Sequence, residues 1–340
     1  LYRNFYLAAW GQSEASQFLL PGLPSLIVPS YGSGITYSLE GGRAVIPGSF
    51  EPAGIPVTMA QRGSVPIFGV GLFEFVTNAT ILAGADPNDS DLDGISGRFN
   101  QDSEGVGRFG SRLQTNNIEL FTRGPLFNQM GITSEPFEGS GATVSLAFCA
   151  QVGSDPNEAT FDFDSAPDPE IDPHPLGTPA TTTDLGDLIA FTSFLAPPGK
   201  LEPFSAAATR GQALFEDVGC TDCHFPSLPT CHVALPCSDV PATIEAYTDL
   251  LLHDMGPDLA DGISMGLPEP DQGPLTTGSE WRTTPLWGVS LSAPYLHDGR
   301  AETLGEAIDL HAGEGQMARD AYTALTPAQQ ADLIEFLEHL

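Results

Sequence analysis

The run Cys220-Thr221-Asp222-Cys223-His224 constrains this chain more than any other feature of its sequence. Two thiols separated by two residues and followed at once by an imidazole form the C-x-x-C-H pattern of c-type haem attachment. The spacing lets the two thiolates add across the haem vinyl groups, and it brings His224 beneath the iron as proximal ligand. A zinc site would need a second ligand pair at suitable spacing, for which Cys231 and Cys237 are the candidates. A disulfide between the motif cysteines is the other competitor. The helix-like run from Gly211 to Phe215, leading straight into the motif, favours haem. Gly and Pro, at 37 and 30 residues, imply short elements joined by long ordered loops, or a core filled by something besides side chains. Haem is such a filler.

The 340 residues allow two domains, taking about 150 residues per domain as a guide. Residues 1–80 read as Gly/Pro-punctuated loops with short strand-like runs at Ser25–Val28 and Val65–Leu72. Ile81–Arg112 reads as acidic, then Gly-rich loop. Helical spacing returns over Asn116–Met130, and 139–179 is a polar connection without periodicity. Thr183–Leu195 is amphipathic, and Pro197-Pro198 stops it. That stop sets the boundary between an N-terminal domain, 1–198, and a haem domain, 199–340. Ala206–Glu216 is a helix candidate, and Thr326-Pro327-Ala328-Gln329 opens another that runs to Leu340. The expected fold class is mainly α, with extensive Gly/Pro-rich loops and a few short strands.

Four side chains compete for the second axial position of the iron: Met255, Met265, His297 and His311. Thr303-Leu304-Gly305-Glu306 is a capping box opening a helix that Gly313 would close. On it Leu304, Ala307, Ile308 and His311 follow i, i+3, i+4, i+7, one buried stripe that aims His311 at the domain interior. A lone His on such a stripe is ordinarily a satisfied core residue; a haem in the same domain turns the preference to ligation. His297, on the turn Tyr295–Gly299, is expected to hydrogen-bond a haem propionate or a loop carbonyl. Iron held by two histidines has no open position, so it moves electrons and does not bind peroxide.

Acidic residues outnumber basic ones 44 to 12, a net charge of −32, with Lys200 the only lysine. Such a surface repels nucleic acid and anionic membranes. It suits a basic redox partner, bound cations or a salty medium. No stretch of about 18 apolar residues is present to span a membrane. The start at Leu1 is neither an initiator methionine nor a signal peptide, so the expectation is a processed terminus or a chain that begins partway. Haem c attachment occurs outside the cytoplasm, which makes the compartment periplasmic or extracellular. There Cys231 with Cys237 is the local disulfide pairing, and Cys149 with either is the competitor.

Asp89, Asp91 and Asp93, with Gly94 and the Ile95 carbonyl, reproduce the opening of an EF-hand-type calcium loop within 86–100. Its twelfth position is Asn100 where a bidentate Glu is expected, so a full EF-hand is absent. An Asp-rich solvated turn is the plain alternative. Three converging carboxylates would repel one another without a cation, which favours calcium.

The stretches Tyr2–Leu7, Ala85–Arg98, Gly107–Gly110, Met130–Thr133, Tyr247–Gly256, Arg282–Gly288 and Ala293–Leu304 cover nearly the whole chain. With the haem motif they resemble the di-haem cytochrome c peroxidase superfamily, most closely its di-haem oxidoreductase branch. The resemblance implies two cytochrome c-like domains, with a peroxide-handling haem in the first and an electron-entry haem in the second. It also implies that the residue at His311, often Met in the superfamily, is the distal ligand of the C-terminal haem. The sequence departs from the pattern in having a single C-x-x-C-H. Either the first motif lies upstream of Leu1, which the unusual start favours, or the first haem has been lost.

Two functions follow: a di-haem peroxidase or related oxidoreductase, or a pure electron carrier or cytochrome subunit of a larger extracytoplasmic complex; the expected partners are a redox protein and either a second copy of the chain or a larger assembly. The single motif and closed iron favour the carrier for the chain as it stands. An extracellular binding protein with a structural haem is a third, weaker class.

Overall fold

The structure, a computed structural model, describes residues 65–102, 105–125, 184–231, 243–263 and 276–340, preceded by five strands. These strands are β1 (Arg3–Ala9), β2 (Ser38–Glu40), β3 (Arg43–Val45), β4 (Ser49–Phe50) and β5 (Val57–Gly63). The chain divides into two compact units. One comprises residues 4–61 and 118–193. Within it β5 pairs antiparallel with β4 and lies between β4 and β1, and β2 and β3 form a hairpin. Its helices are α1 (Ile118–Pro125) and most of α2 (Asp184–Phe194), as the helical spacing predicts. The run Ser25–Val28 lies outside the described residues.

The other unit holds the haem motif and takes in residues 1–3, 62–117 and 194–340. Its helical frame begins with α3 (Ala206–Asp217), which Ser205 caps by accepting the Ala208 amide at 2.9 Å. The last helix, α4 (Pro327–His339), starts at the expected capping box of Thr326 and Gln329. These two helices cross at Gly211, where a Cβ would fall 2.0 Å from the Asp332 carbonyl oxygen. No side chain fits there, and Gly lets the backbones meet. Around the crossing Phe215 packs edge-on against Phe336 at 5.5 Å and against Tyr247 at 6.0 Å. Leu333, Phe336 and Phe215 are all buried, each stabilising the unit by roughly 1.5–3 kcal/mol.

Two expectations change here. Val65–Leu72 forms no strand; it runs as coil into a tight 3-10 turn, Val70–Phe75. Pro66 lacks a ladder donor, and Gly69 adopts a left-handed φ of 75°. Just beyond the run, Phe73 is stacked on Trp287 at 5.3 Å. The stretch from Ile81 is not all loop either, since Asn78–Ala83 is a short helix capped by Thr77.

Short ladders complete the unit. Strands β6 (Leu252–Asp254) and β7 (Glu280–Arg282) pair antiparallel, with His253 opposite Trp281, and Arg98 bridges to Leu252 on the other edge. Among the described residues no helix is long and apolar enough to cross a membrane.

Candidate haem site

Helix α3 ends at Val218, and Gly219, at φ 85°, turns the chain directly into the motif. Cys220–Asp222 form one 3-10 turn, so both thiols and His224 issue from a single short bend. Both cysteines are unbridged and half-buried. Burial pushes the Cys220 thiol up to about 12. The same cause pushes His224 down to about 4 and keeps its ring neutral, the form that ligates iron. The Nδ1–H of His224 donates to the Tyr247 carbonyl at 2.9 Å. That bond settles the tautomer and leaves the Nε2 lone pair for a metal.

The chain places His311 in the same way. Its Nδ1–H donates to the Ala307 carbonyl at 2.7 Å, and burial lowers its pKa. His311 is near enough to His224 to help lower its pKa. The expected capping box of Thr303 and Glu306 opens the short helix α5 (Leu304–Asp309). That helix stops sooner than the stripe predicts. Leu310 is its C-cap, and His311 follows on a tight turn whose amide reaches only to Ile308. A further helix, α6 (Gln316–Ala324), was not legible in the sequence; its Arg319 donates to the His311 carbonyl at 3.0 Å. Met255 lies beside this turn, its methyl 3.2 Å from where a Gly315 Cβ would sit. Met265 lies outside the described residues.

Against Cys223 lies a group of charged residues whose pairing no local pattern announces. His253 follows the apolar run Leu250–Leu252 and is buried. Its Nε2 meets Asp249 Oδ2 at 2.8 Å and its Nδ1 meets Glu314 Oε2 at 2.7 Å. The Cys223 sulfur is 3.7 Å from the same Nδ1. Burial would lower the His253 pKa, but bonds to Asp249, Cys223 and Glu314 raise it well above its usual value. An ionisable side chain ending an apolar run needs a buried partner, and that was the available signal.

Residues 54–340 match the model of a family described as "Di-haem oxidoreductase, putative peroxidase". The chain belongs to this family. Two solved structures are similar in part. One is hydrazine synthase of Kuenenia stuttgartiensis, 23% identical over 47% of this chain and 56% of that one, with a TM-score of 0.30. The other is a MauG-like protein associated with microbial copper homeostasis, 24% identical over 48% of this chain and 58% of that one, with a TM-score of 0.29. The chain thus spans little more than half the length of either. No curated protein matches.

The motif bend, two neutral histidines with fixed tautomers and the aromatic core around α3 all fit a haem. The other expected site residues are placed as follows. His297 stacks on Trp281 at 3.8 Å, with the Arg112 guanidinium 3.7 Å from the same indole. Burial pushes His297 down to about 4. Cys231 is disulfide-bonded. Cys149 and Cys237, its candidate partners, lie outside the described residues. Asp89, Asp91 and Asp93 bring carboxylate oxygens within 4.8 Å of one another. Their loop is shaped by side-chain to backbone bonds, Asp89 Oδ1 accepting from Gly94 and Asp93 Oδ1 from Ile95. Asn100 is engaged elsewhere: it donates to the Arg112 carbonyl at 2.8 Å and accepts from Gln101.

Proposed function

We propose that this chain carries an electron-transfer haem c, attached at Cys220 and Cys223 and held between His224 and His311, within a di-haem oxidoreductase of peroxidase type. The observation that carries the reading is the matched pair of histidines, each half-buried, with a lowered pKa, and pinned through Nδ1 to a backbone carbonyl. A haem held there would supply one-electron iron chemistry. Tyr247 and Ala307 orient the two rings, and the core around Phe215 and Phe336 excludes water, which keeps the histidines uncharged. If His224 and His311 both held the iron, the site would pass electrons and would leave peroxide chemistry to a second haem that the family implies. The disulfide of Cys231 and the attachment chemistry favour a compartment outside the cytoplasm. The net charge of −32 favours a basic or cation-bridged redox partner. Calcium is proposed at Asp89, Asp91, Asp93 and the Ile95 carbonyl.

The test is the spectrum of the haem-loaded protein, with haem counted by the pyridine haemochrome assay. A six-coordinate low-spin haem is expected, and His311→Ala should convert it to high-spin. An unchanged spectrum in that variant removes His311 from the iron.

A further inference from the structure

His253, Asp249 and Glu314 form a buried charged group that the axial pair alone does not require. Both nitrogens of His253 point at carboxylate oxygens, Asp249 Oδ2 at 2.8 Å and Glu314 Oε2 at 2.7 Å. Those carboxylates are already acceptors: Asp249 Oδ1 takes the Leu251 amide at 2.9 Å. Glu314 takes the Ser96 amide at 3.0 Å, the Ser96 hydroxyl at 2.6 Å and the Asp254 amide at 3.2 Å. An imidazole that donates from both nitrogens is an imidazolium, so the group holds two negative charges and one positive.

Its position gives the charge something to act on. Asp249 lies two residues beyond Tyr247, whose carbonyl holds His224. Glu314 lies in the turn Gly313–Gly315, three residues beyond His311. That turn is pressed on β6: a Cβ on Gly313 would fall 2.0 Å from the Asp254 carbonyl oxygen. The Cys223 sulfur, a haem attachment point, is 3.7 Å from His253 Nδ1. A buried ion group is weak evidence for stability, because apolar residues of the same volume often do as well. Next to a redox centre in a low-dielectric interior, fixed charges of either sign change the energy of adding an electron.

We propose that Asp249, His253 and Glu314 act as electrostatic positioning residues that set the reduction potential of the haem held between His224 and His311. The inference rests on that axial reading. Oxidised iron carries one more positive charge than reduced iron, so a net negative neighbour favours the oxidised form and lowers the potential. Removing one carboxylate charge raises it, and removing the imidazolium lowers it.

The experiment is potentiometric titration of the full haem-loaded chain beside Glu314→Gln, Asp249→Asn and His253→Asn, with absorption spectra throughout. The expected result is an upward shift for the two carboxylate variants and a downward shift for His253→Asn, all still low-spin. If His253→Asn does not fold, the near-isosteric Glu314→Gln and Asp249→Asn carry the test alone. A purely structural clamp would loosen the His311 turn in every variant and move all potentials one way with loss of the low-spin signature. That result, or no shift at all, overturns the proposal. A wild-type haem that is not low-spin overturns the axial reading instead, and the two failures are therefore distinguishable.

Discussion

At the scale of single residues, the chemistry of this chain depends on which protons are fixed. The carbonyls of Tyr247 and Ala307 fix the tautomers of His224 and His311, since those bonds decide where each lone pair points. Glu314 shows the opposite device. Burial would raise its pKa, but hydrogen bonds from His253 and Ser96 outweigh that and bring it from 4.5 down to about 2. Its folded pKa is depressed, so its stabilising contribution is fully present above 4.5 and is lost as pH falls through about 2. His253 has the reverse sign: its folded pKa is raised, so its contribution is complete below 6.5 and fades only as pH rises through the higher folded value. Denaturant titrations across this acid range should show wild type losing more stability than Glu314→Gln between pH 4.5 and 2. Parallel curves would mean that Glu314 carries no linked proton.

At the scale of elements, the frame around the C-x-x-C-H motif is set by two close approaches that only glycine permits. Gly211 joins α3 to α4, and Gly313 joins the His311 turn to β6. Gly211→Ala places a methyl group 2.0 Å from the Asp332 carbonyl, a backbone atom that cannot rotate away. The helices must part, at a cost of roughly 1–3 kcal/mol. Guanidinium unfolding of the haem-loaded variant measures it, and an unchanged midpoint would show that the crossing tolerates a Cβ. The capping boxes at Thr303 and Thr326 were readable because cap and partner are three residues apart. The end of α5 was not, because the turn that stops it is held by Arg319 from the next helix.

At the scale of the whole molecule, 44 acidic side chains against 12 basic ones make self-repulsion a standing cost of the folded state. Sodium chloride should therefore raise the melting temperature, since the screening length falls to about 10 Å at 0.1 M. Calcium chloride at matched ionic strength should raise it further if Asp89, Asp91 and Asp93 take a cation. Equal melting temperatures in the two salts would remove calcium from that loop, and no rise in either would show that the charge is already screened by its distribution.

The amino-acid sequence by itself determined the C-x-x-C-H motif, most of the described helices and the family, and it named His224 and His311 as the axial pair to be tested. Each of these rests on contacts within a few residues, on spacing along a helix or on motifs read in order. Only the tertiary structure decided what surrounds the pair. Ser96 meets Glu314 across a separation of 218 residues, and Arg112 meets Asp261 across 149. Nothing in the local pattern names such partners. Burying a charge obliges the chain to find an opposite one, but which one it finds depends on how the ladders and turns bring distant segments together.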